Sequence, residues 1–326
     1  MKNDKVQVGA SAASTEDLGF RVIGNNAISS EKIIAPRYSY WRSVFRVFFR
    51  RKANYFLLGL FLLMILSAVF IPIICPFKAD ENVMHAEYFN KSPAFMMKLR
   101  GFSFKWLFGS GNAGQSIMYN IFAGARISLL LGIICAAINM TIGVIIGAVW
   151  GFSKKVDVVM LQVYNMIANV PMLLIITVLV YILGAGFWSL VFAMCITGWL
   201  GIAFFTRTQV MIIRDREYSL ASRCLGTPVS RIVTKNILPY LTSVIVTLLA
   251  TEVPGYINYE AYLSFFGLGL GEKVPSLGRM ISVSQAGFVT FPWEFWPPVA
   301  YAALLTIILY LVGQNLADAT DPKTHM

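Results

Sequence analysis

Charge is scarce in this chain. Only 13% of its 326 residues are Asp, Glu, Lys or Arg, against about 25% in ordinary soluble domains. Hydrophobic residues make up 57% of the sequence and the mean hydropathy is +0.67. Polar side chains are too few to cover a water-facing surface, which excludes a soluble globular domain. Histidine is rarer still: His85 and His325 alone can assemble neither a metal cluster nor a His-based triad. A P-loop and an HExxH motif are both missing. The four cysteines have no close pairing, which argues against a disulfide scaffold or a zinc site. Cys135 and Cys195 lie inside apolar runs and Cys75 at the edge of one, as small apolar residues do. The chain therefore carries no catalytic residues, no metal ligands and no cofactor site of its own.

Long apolar runs are what it has instead. A helix needs about 20 apolar residues to cross the hydrocarbon core. Tyr55 to Cys75 and Ile127 to Phe152 are two such runs. Val158 to Thr206 has no ionisable group apart from Tyr, about twice one span, and Gly184-Ala185-Gly186 divides it into helices near 158–183 and 187–210. A fifth span runs from near Pro239 to Phe266, interrupted by Glu252, Pro254, Gly255 and Glu260. The sixth runs from Phe295 to Ala317 and opens on Pro297 and Pro298. The expected fold is an all-α polytopic membrane protein with six spans.

Basic residues set the orientation. With the N-terminus inside, most of the 27 Lys and Arg fall on the cytoplasmic side, in the tail through Lys52, at Lys154 and Lys155, and between Arg207 and Lys235. The net charge of +11 then reads as topology rather than nucleic-acid binding. Residues 1–40 lack the apolar core of a signal peptide and form a cytoplasmic tail. Residues 41–52 put Trp41, Val44, Phe45, Phe48 and Phe49 on one helical face and Arg42, Arg46 and Arg50 opposite, as an interfacial helix or a topology signal. The expected order continues with a first span over 55–75, an extracytoplasmic loop over 76–126, a core over 127–317 and a cytoplasmic C-terminus over 318–326.

Within the spans, Gly143, Gly147 and Gly151 recur every four residues and invite the close approach of another helix. Asn165 and Asn169 share a face just before Pro171, either for interhelical hydrogen bonds or to line a pore. Glu252 and Glu260, with Tyr256, Asn258, Tyr259 and Ser264 nearby, suggest that this half of the fifth span lines a water-accessible path. The competing reading of Glu260 is a structural ion pair near the outer surface. Asn139-Met140-Thr141 matches a glycosylation sequon but falls mid-membrane and is discarded.

Between the fourth and fifth spans, Glu217 to Leu225 reads as a short helix. Gly226 permits a left-handed stop, and Pro228 opens a second helix that ends before Pro239. A helix–turn–helix placed there suits a groove on a cytoplasmic partner, although a plain basic loop would read similarly.

This 214–239 segment resembles the EAA loop of ABC-importer permeases, in the form E-Y-x-x-A-x-x-x-x-G…I-L-P, at Glu217, Tyr218, Ala221, Gly226, Ile237, Leu238 and Pro239. Gly124-Ala125-Arg126-Ile127-Ser128-Leu129 is similar to the family's G-A-R-x-S-L entry. Glu260 to Gly269 is similar to its E-A-x-L-S-F-x-G-L-G signature, followed by Pro275-Ser276-Leu277-Gly278. Asp318-Ala319-Thr320-Asp321-Pro322 resembles its D-A-x-D-P ending. The resemblance covers about residues 36–326 and is to the C-type permease subunits of oligopeptide importers, including the Gram-positive Ami-like branch. Where that family often has G-T-D-x-x-G-R-D, this chain has Gly109-Ser110-Gly111-Asn112-Ala113-Gly114-Gln115-Ser116.

The resemblance implies a type I ABC importer half-pore in a bacterial cell membrane. Its implied partners are a homologous B-type permease, two ABC ATPases that bind ATP and Mg, an extracytoplasmic peptide-binding lipoprotein, the peptide cargo and membrane lipids, with no nucleic acid. Glu217, Tyr218, Ala221, Ser222, Leu225, Gly226 and Thr227, with Ile237, Leu238 and Pro239, would couple to an ATPase. Asn165, Asn169, Glu252, Tyr256, Asn258, Glu260 and Ser264 are the residues expected to line the path. Alternatives are a dipeptide or small-solute (for example nickel) permease of the same family, or a proton-coupled secondary transporter that uses Glu252 or Glu260.

Overall fold

The computed structural model describes residues 39–74, 86–271 and 274–320. The chain divides into two units after Tyr40, and the second of them contains the helical bundle. The expected tail over 1–40 falls almost wholly outside the described residues, as do Cys75, His85, Asp321, Pro322 and His325.

Among the described residues the regular structure is helical. α1 (Tyr40–Arg50) leads into α2 (Lys52–Ile74). α3 (Pro93–Arg100) lies in the first long connection. The four longest helices are α4 (Ile117–Phe152), α7 (Phe187–Arg214), α11 (Thr242–Phe265) and α13 (Pro292–Thr320). α5 (Lys154–Ala168) and α6 (Met172–Leu183) lie between α4 and α7. α8 (Glu217–Cys224), α9 (Val229–Ile232) and α10 (Leu238–Tyr240) separate α7 from α11, and α12 (Leu277–Ser284) precedes α13. Among the described residues four helices (α2, α4, α7 and α13) are long and apolar enough to cross a membrane. Two bent pairs, α5–α6 at 75° and Val229–Tyr240 with α11 at 65°, bring the number to six if each pair is one span.

Several boundaries depart from the sequence expectation. The third run is not one helix over 158–183. Pro171 lacks an N–H and biases Val170 away from the helical region, so the helix stops at Ala168 and restarts at Met172. The second span starts ten residues early, at Ile117, where the Ser116 hydroxyl accepts from the Tyr119 N–H at 3.2 Å. The end of the expected 76–126 loop is thus helix. The last helix begins at Pro292, leaving Pro297 and Pro298 in its second turn, and it carries Asp318 to Thr320 of the expected C-terminal tail. The second helix of the 214–239 segment does not end before Pro239. A π turn over Val233–Ile237 sends the Leu238 N–H back to the Val233 carbonyl, and α10 carries the chain past the proline. The apolar face of α1 is split: Val44 and Phe48 are buried while Trp41 and Phe45 stay exposed.

The glycine stripe decides which helices meet. A Cβ on Gly143 would lie 2.7 Å from the Ile202 side chain, and one on Gly151 would lie 2.6 Å from the Arg207 carbonyl. α4 and α7 therefore pack backbone to backbone along their length, as small residues allow where lipid supplies no hydrophobic drive. Among the described residues the three largest apolar clusters lie around these helices. One joins α4, α6, α7 and α11 around Leu131, Ile176, Met194 and Leu263. A second joins α2, α4, α11, α12 and α13 around Met64, Ile121, Ile257 and Leu305. The third, at the end of the bundle where α8 lies, gathers Phe152, Val210, Ile213, Ile232, Ile237 and Leu241.

Candidate functional site

The 214–239 segment is an exposed helical hairpin on a rooted base. At its tip, the Gly226 N–H donates to the Arg223 carbonyl at 2.9 Å and the Thr227 N–H to the Ser222 carbonyl at 3.1 Å. This double closure of α8 needs a left-handed residue, and Gly226 supplies it at φ 73°. Tyr218, Leu220 and Leu225 point outward, Leu225 with 85% of its surface open. Glu217 and Ala221 are exposed too, and Ser222 is half-buried with its hydroxyl on the Tyr218 carbonyl at 2.9 Å.

The root was not legible in the sequence. Ser219 is fully buried and donates to the Ile213 carbonyl at 2.9 Å. Arg214 donates to the Gly151 carbonyl at 2.9 Å and pairs with Asp215, also at 2.9 Å. That pairing, the guanidinium hydrogen bond first, holds the Asp215 carboxyl below its ordinary range. The Arg223 guanidinium sits 4.3 Å from the centre of the Phe152 ring. Ile237 is completely buried in the third cluster, so it belongs to the root and not to an outward docking face. Leu238 packs partly against that cluster, whereas Pro239 is exposed.

The residues expected along a path do not converge. Asn165, Asn169 and Asn258 are exposed and Glu252 is half-buried, but Tyr256, Glu260 and Ser264 are buried. The Asn169 amide donates to the Asn165 carbonyl at 2.6 Å, closing its own helix and bridging no second one. Glu260 has none of its surface open. Its carboxylate accepts from Ser128 on α4 at 3.0 Å and from Ser264 at 2.8 Å, and Ser128 in turn accepts the Leu277 N–H at 3.3 Å. Gly278 lets this crossing form, because any Cβ there would collide with the Ala261 backbone. Glu260 therefore ties α4, α11 and α12 together. Among the described residues no Lys or Arg forms an ion pair with it.

Tyr256 likewise meets Asn139, whose amide donates to the Tyr256 hydroxyl at 2.6 Å. Gly198 leaves room for the pair, since a Cβ there would lie 2.5 Å from the Asn139 amide. Asn139 thus has a structural partner, which its sequon disguised. The open face of α11 is instead marked by Thr247, Thr251, Asn258 and Tyr262, at helical spacing. Three of these four were not singled out in the sequence, because a helix of mixed polarity does not reveal which face stays uncovered.

A family model described as "Binding-protein-dependent transport system inner membrane component" matches residues 128–326. The chain belongs to that family. A second model, for the N-terminal TM domain of oligopeptide transport permease C, matches residues 39–93. Among curated relatives, the oligopeptide transport system permease protein AmiD of Streptococcus pneumoniae is 45% identical over 94% of this chain and 97% of its own length. The OppC permease protein of Bacillus subtilis is 32% identical over 93% and 96%. The dipeptide permease DppC of the same organism is 31% identical over 90% and 89%. As an inner membrane component of a binding-protein-dependent transport system, the chain is an integral membrane subunit. It is a non-catalytic membrane component of an ABC transporter.

Proposed function

We propose that this chain is the C-type permease subunit of a bacterial ATP-driven oligopeptide importer, with six spans and both termini cytoplasmic. It forms half of a translocation path with a homologous B-type permease. Two ABC ATPases bind ATP and Mg and drive it, and an extracytoplasmic peptide-binding lipoprotein delivers cargo. The names of the relatives support peptides as cargo. The observation that carries the coupling reading is the rooted hairpin: Tyr218, Leu220 and Leu225 project outward while Ser219, Arg214 and Ile237 anchor the base. A lever must be exposed where it is gripped and rigid where it transmits, and both conditions hold here. The open polar stripe of α11, through Asn258, is our candidate for the wall facing the path and the second permease. A proton-coupled mechanism through Glu260 lacks support, since that carboxylate is closed off by two hydroxyls.

The test is disulfide trapping. Leu225→Cys, in the full complex with one cysteine placed in the ATPase groove and no other exposed thiols, should form a disulfide with that cysteine on copper–phenanthroline oxidation and block peptide uptake until reduced. Cross-linking to lipid-facing probes alone would end the coupling reading.

A further inference from the structure

At the end of the bundle opposite the hairpin lies a cavity of about 520 Å³, within the range of small-ligand sites. It lies between the 111–120 segment, α12 and the first turn of α13, and its polar lining includes Asn112, Gln115, Asn120, Arg279 and Glu294. Most of these groups are spoken for. The Gln115 amide donates to the Asn112 oxygen at 3.0 Å while its own oxygen accepts the Ala113 N–H at 2.8 Å, which fixes the loop as a wall. Arg279 donates to the Gly271 carbonyl. Glu294 is different: its Oε1 is buried and accepts no hydrogen bond among the described residues. A buried carboxylate oxygen without a donor is costly, and a ligand that brings donors removes the cost.

We propose that this cavity receives the amino terminus of the peptide cargo, with Glu294 accepting its ammonium group. This rests on the peptide-importer reading. An ammonium carries three donors and suits one carboxylate supplemented by neutral amide oxygens such as that of Asn120. A divalent metal suits the site poorly, because it needs several oxygen ligands and, among the described residues, a single carboxylate lines the cavity. Arg279 shares the cavity with Glu294, and a peptide main chain offers the matching order of charge and polarity: a cationic end followed by carbonyl acceptors. Every peptide with a free amino terminus has that pattern, so such a site engages cargo without reading its side chains.

The experiment uses the assembled importer in nanodiscs without its binding protein, titrated by calorimetry with tetra-alanine and with N-acetyl-tetra-alanine. The free peptide should bind at least about tenfold more tightly than the acetylated one. Glu294→Gln, which keeps size and shape, should weaken the free peptide about tenfold and leave the acetylated one unchanged; Asn120→Ala should weaken it less. Should Glu294→Gln fail to assemble, the acetylation comparison on the wild type and Asn120→Ala carry the test. Equal binding of the two peptides, no binding of either, or an effect of Glu294→Gln on binding-protein capture alone would overturn the inference. ATP-driven uptake of tetra-alanine, measured in parallel with the binding protein present, separates the two claims. Intact uptake with a negative titration sinks only the cavity assignment, whereas no uptake by the wild-type complex sinks the peptide-importer reading itself.

Discussion

Asp157 on α5 and Arg207 on α7 pair through two hydrogen bonds, one of them at 3.0 Å, and Trp150 on α4 donates a third to the same carboxylate at 2.7 Å. The Arg207 guanidinium also lies 5.3 Å from the Trp150 ring and 5.6 Å from that of Phe204. Phe204 stacks on Tyr164 with ring centres 4.6 Å apart. None of the residues of α5 is buried, so this cluster is its principal attachment to the α4–α7 pair. The same stretch of α4 holds the hairpin through Gly151 and Phe152. A push on the hairpin therefore has a physical route to the bent α5–α6 pair.

Removing either partner of that ion pair should be costly. Asp157→Asn and Arg207→Met should each destabilise the purified subunit by about 2 kcal/mol, the value of hydrogen bonds to charged groups. The double variant should lose less than the sum, because the second substitution removes a group already unpaired. Thermal unfolding in detergent, followed for all three variants, checks this; strict additivity would mean that the groups do not interact.

Gly226 is surrounded by open space, so its requirement is conformational rather than steric. Gly226→Val should reduce coupled uptake at least tenfold, since a β-branched residue resists a positive φ. Gly226→Asn should keep most of it, because Asn tolerates that region. Gly226→Asp, which has the shape of Asn with an added charge, isolates the electrostatic cost of docking. Uptake at the wild-type rate by the Val variant would refute the requirement for the turn.

Glu260 reads differently as a structural hub than as a path residue. Glu260→Gln can still engage both hydroxyls, since its oxygen accepts and its amide donates, and should cost under about 1 kcal/mol. Glu260→Ala strands Ser128 and Ser264 and leaves a void, for about 2–4 kcal/mol. Yield of folded subunit should track that order. Normal assembly with abolished transport in the Gln variant would restore the path reading.

The Asn139–Tyr256 contact gives a graded pair. Tyr256→Phe should cost about 0.6 kcal/mol and no more than about 1.7, the mean and the maximum for hydrogen bonds between membrane helices. Gly198→Ala should cost more, as its Cβ would press on both partners at 2.5 and 2.7 Å. Chemical denaturation in mixed micelles ranks the two; a milder effect for the alanine would mean that the helices slide apart to admit it.

The successes and misses of the sequence have particular causes. The short helix from Glu217 and its stop at Gly226 depend on neighbours within one turn, so they were readable. The break at Pro171 was not read, because no charged residue marks it and only backbone geometry interrupts the helix. The roles of Asn139 and Asp157 depend on partners 117 and 50 residues away in the chain. Separation of that kind leaves no local pattern.

By itself the sequence determined the solvent of this protein. A chain with so little charge and such long apolar runs can satisfy its backbone only as helices in lipid. It also determined where the chain must turn tightly, at Gly226, and where helices can approach, along Gly143 to Gly151. Tertiary structure alone decided which helix fills that glycine groove, and that the conspicuous carboxylate of Glu260 is sealed while that of Glu294 has an oxygen left without a donor among the described residues. The reason is physical: burial of a polar group is tolerated or costly according to the donors that distant segments bring to it, and those donors are chosen by packing.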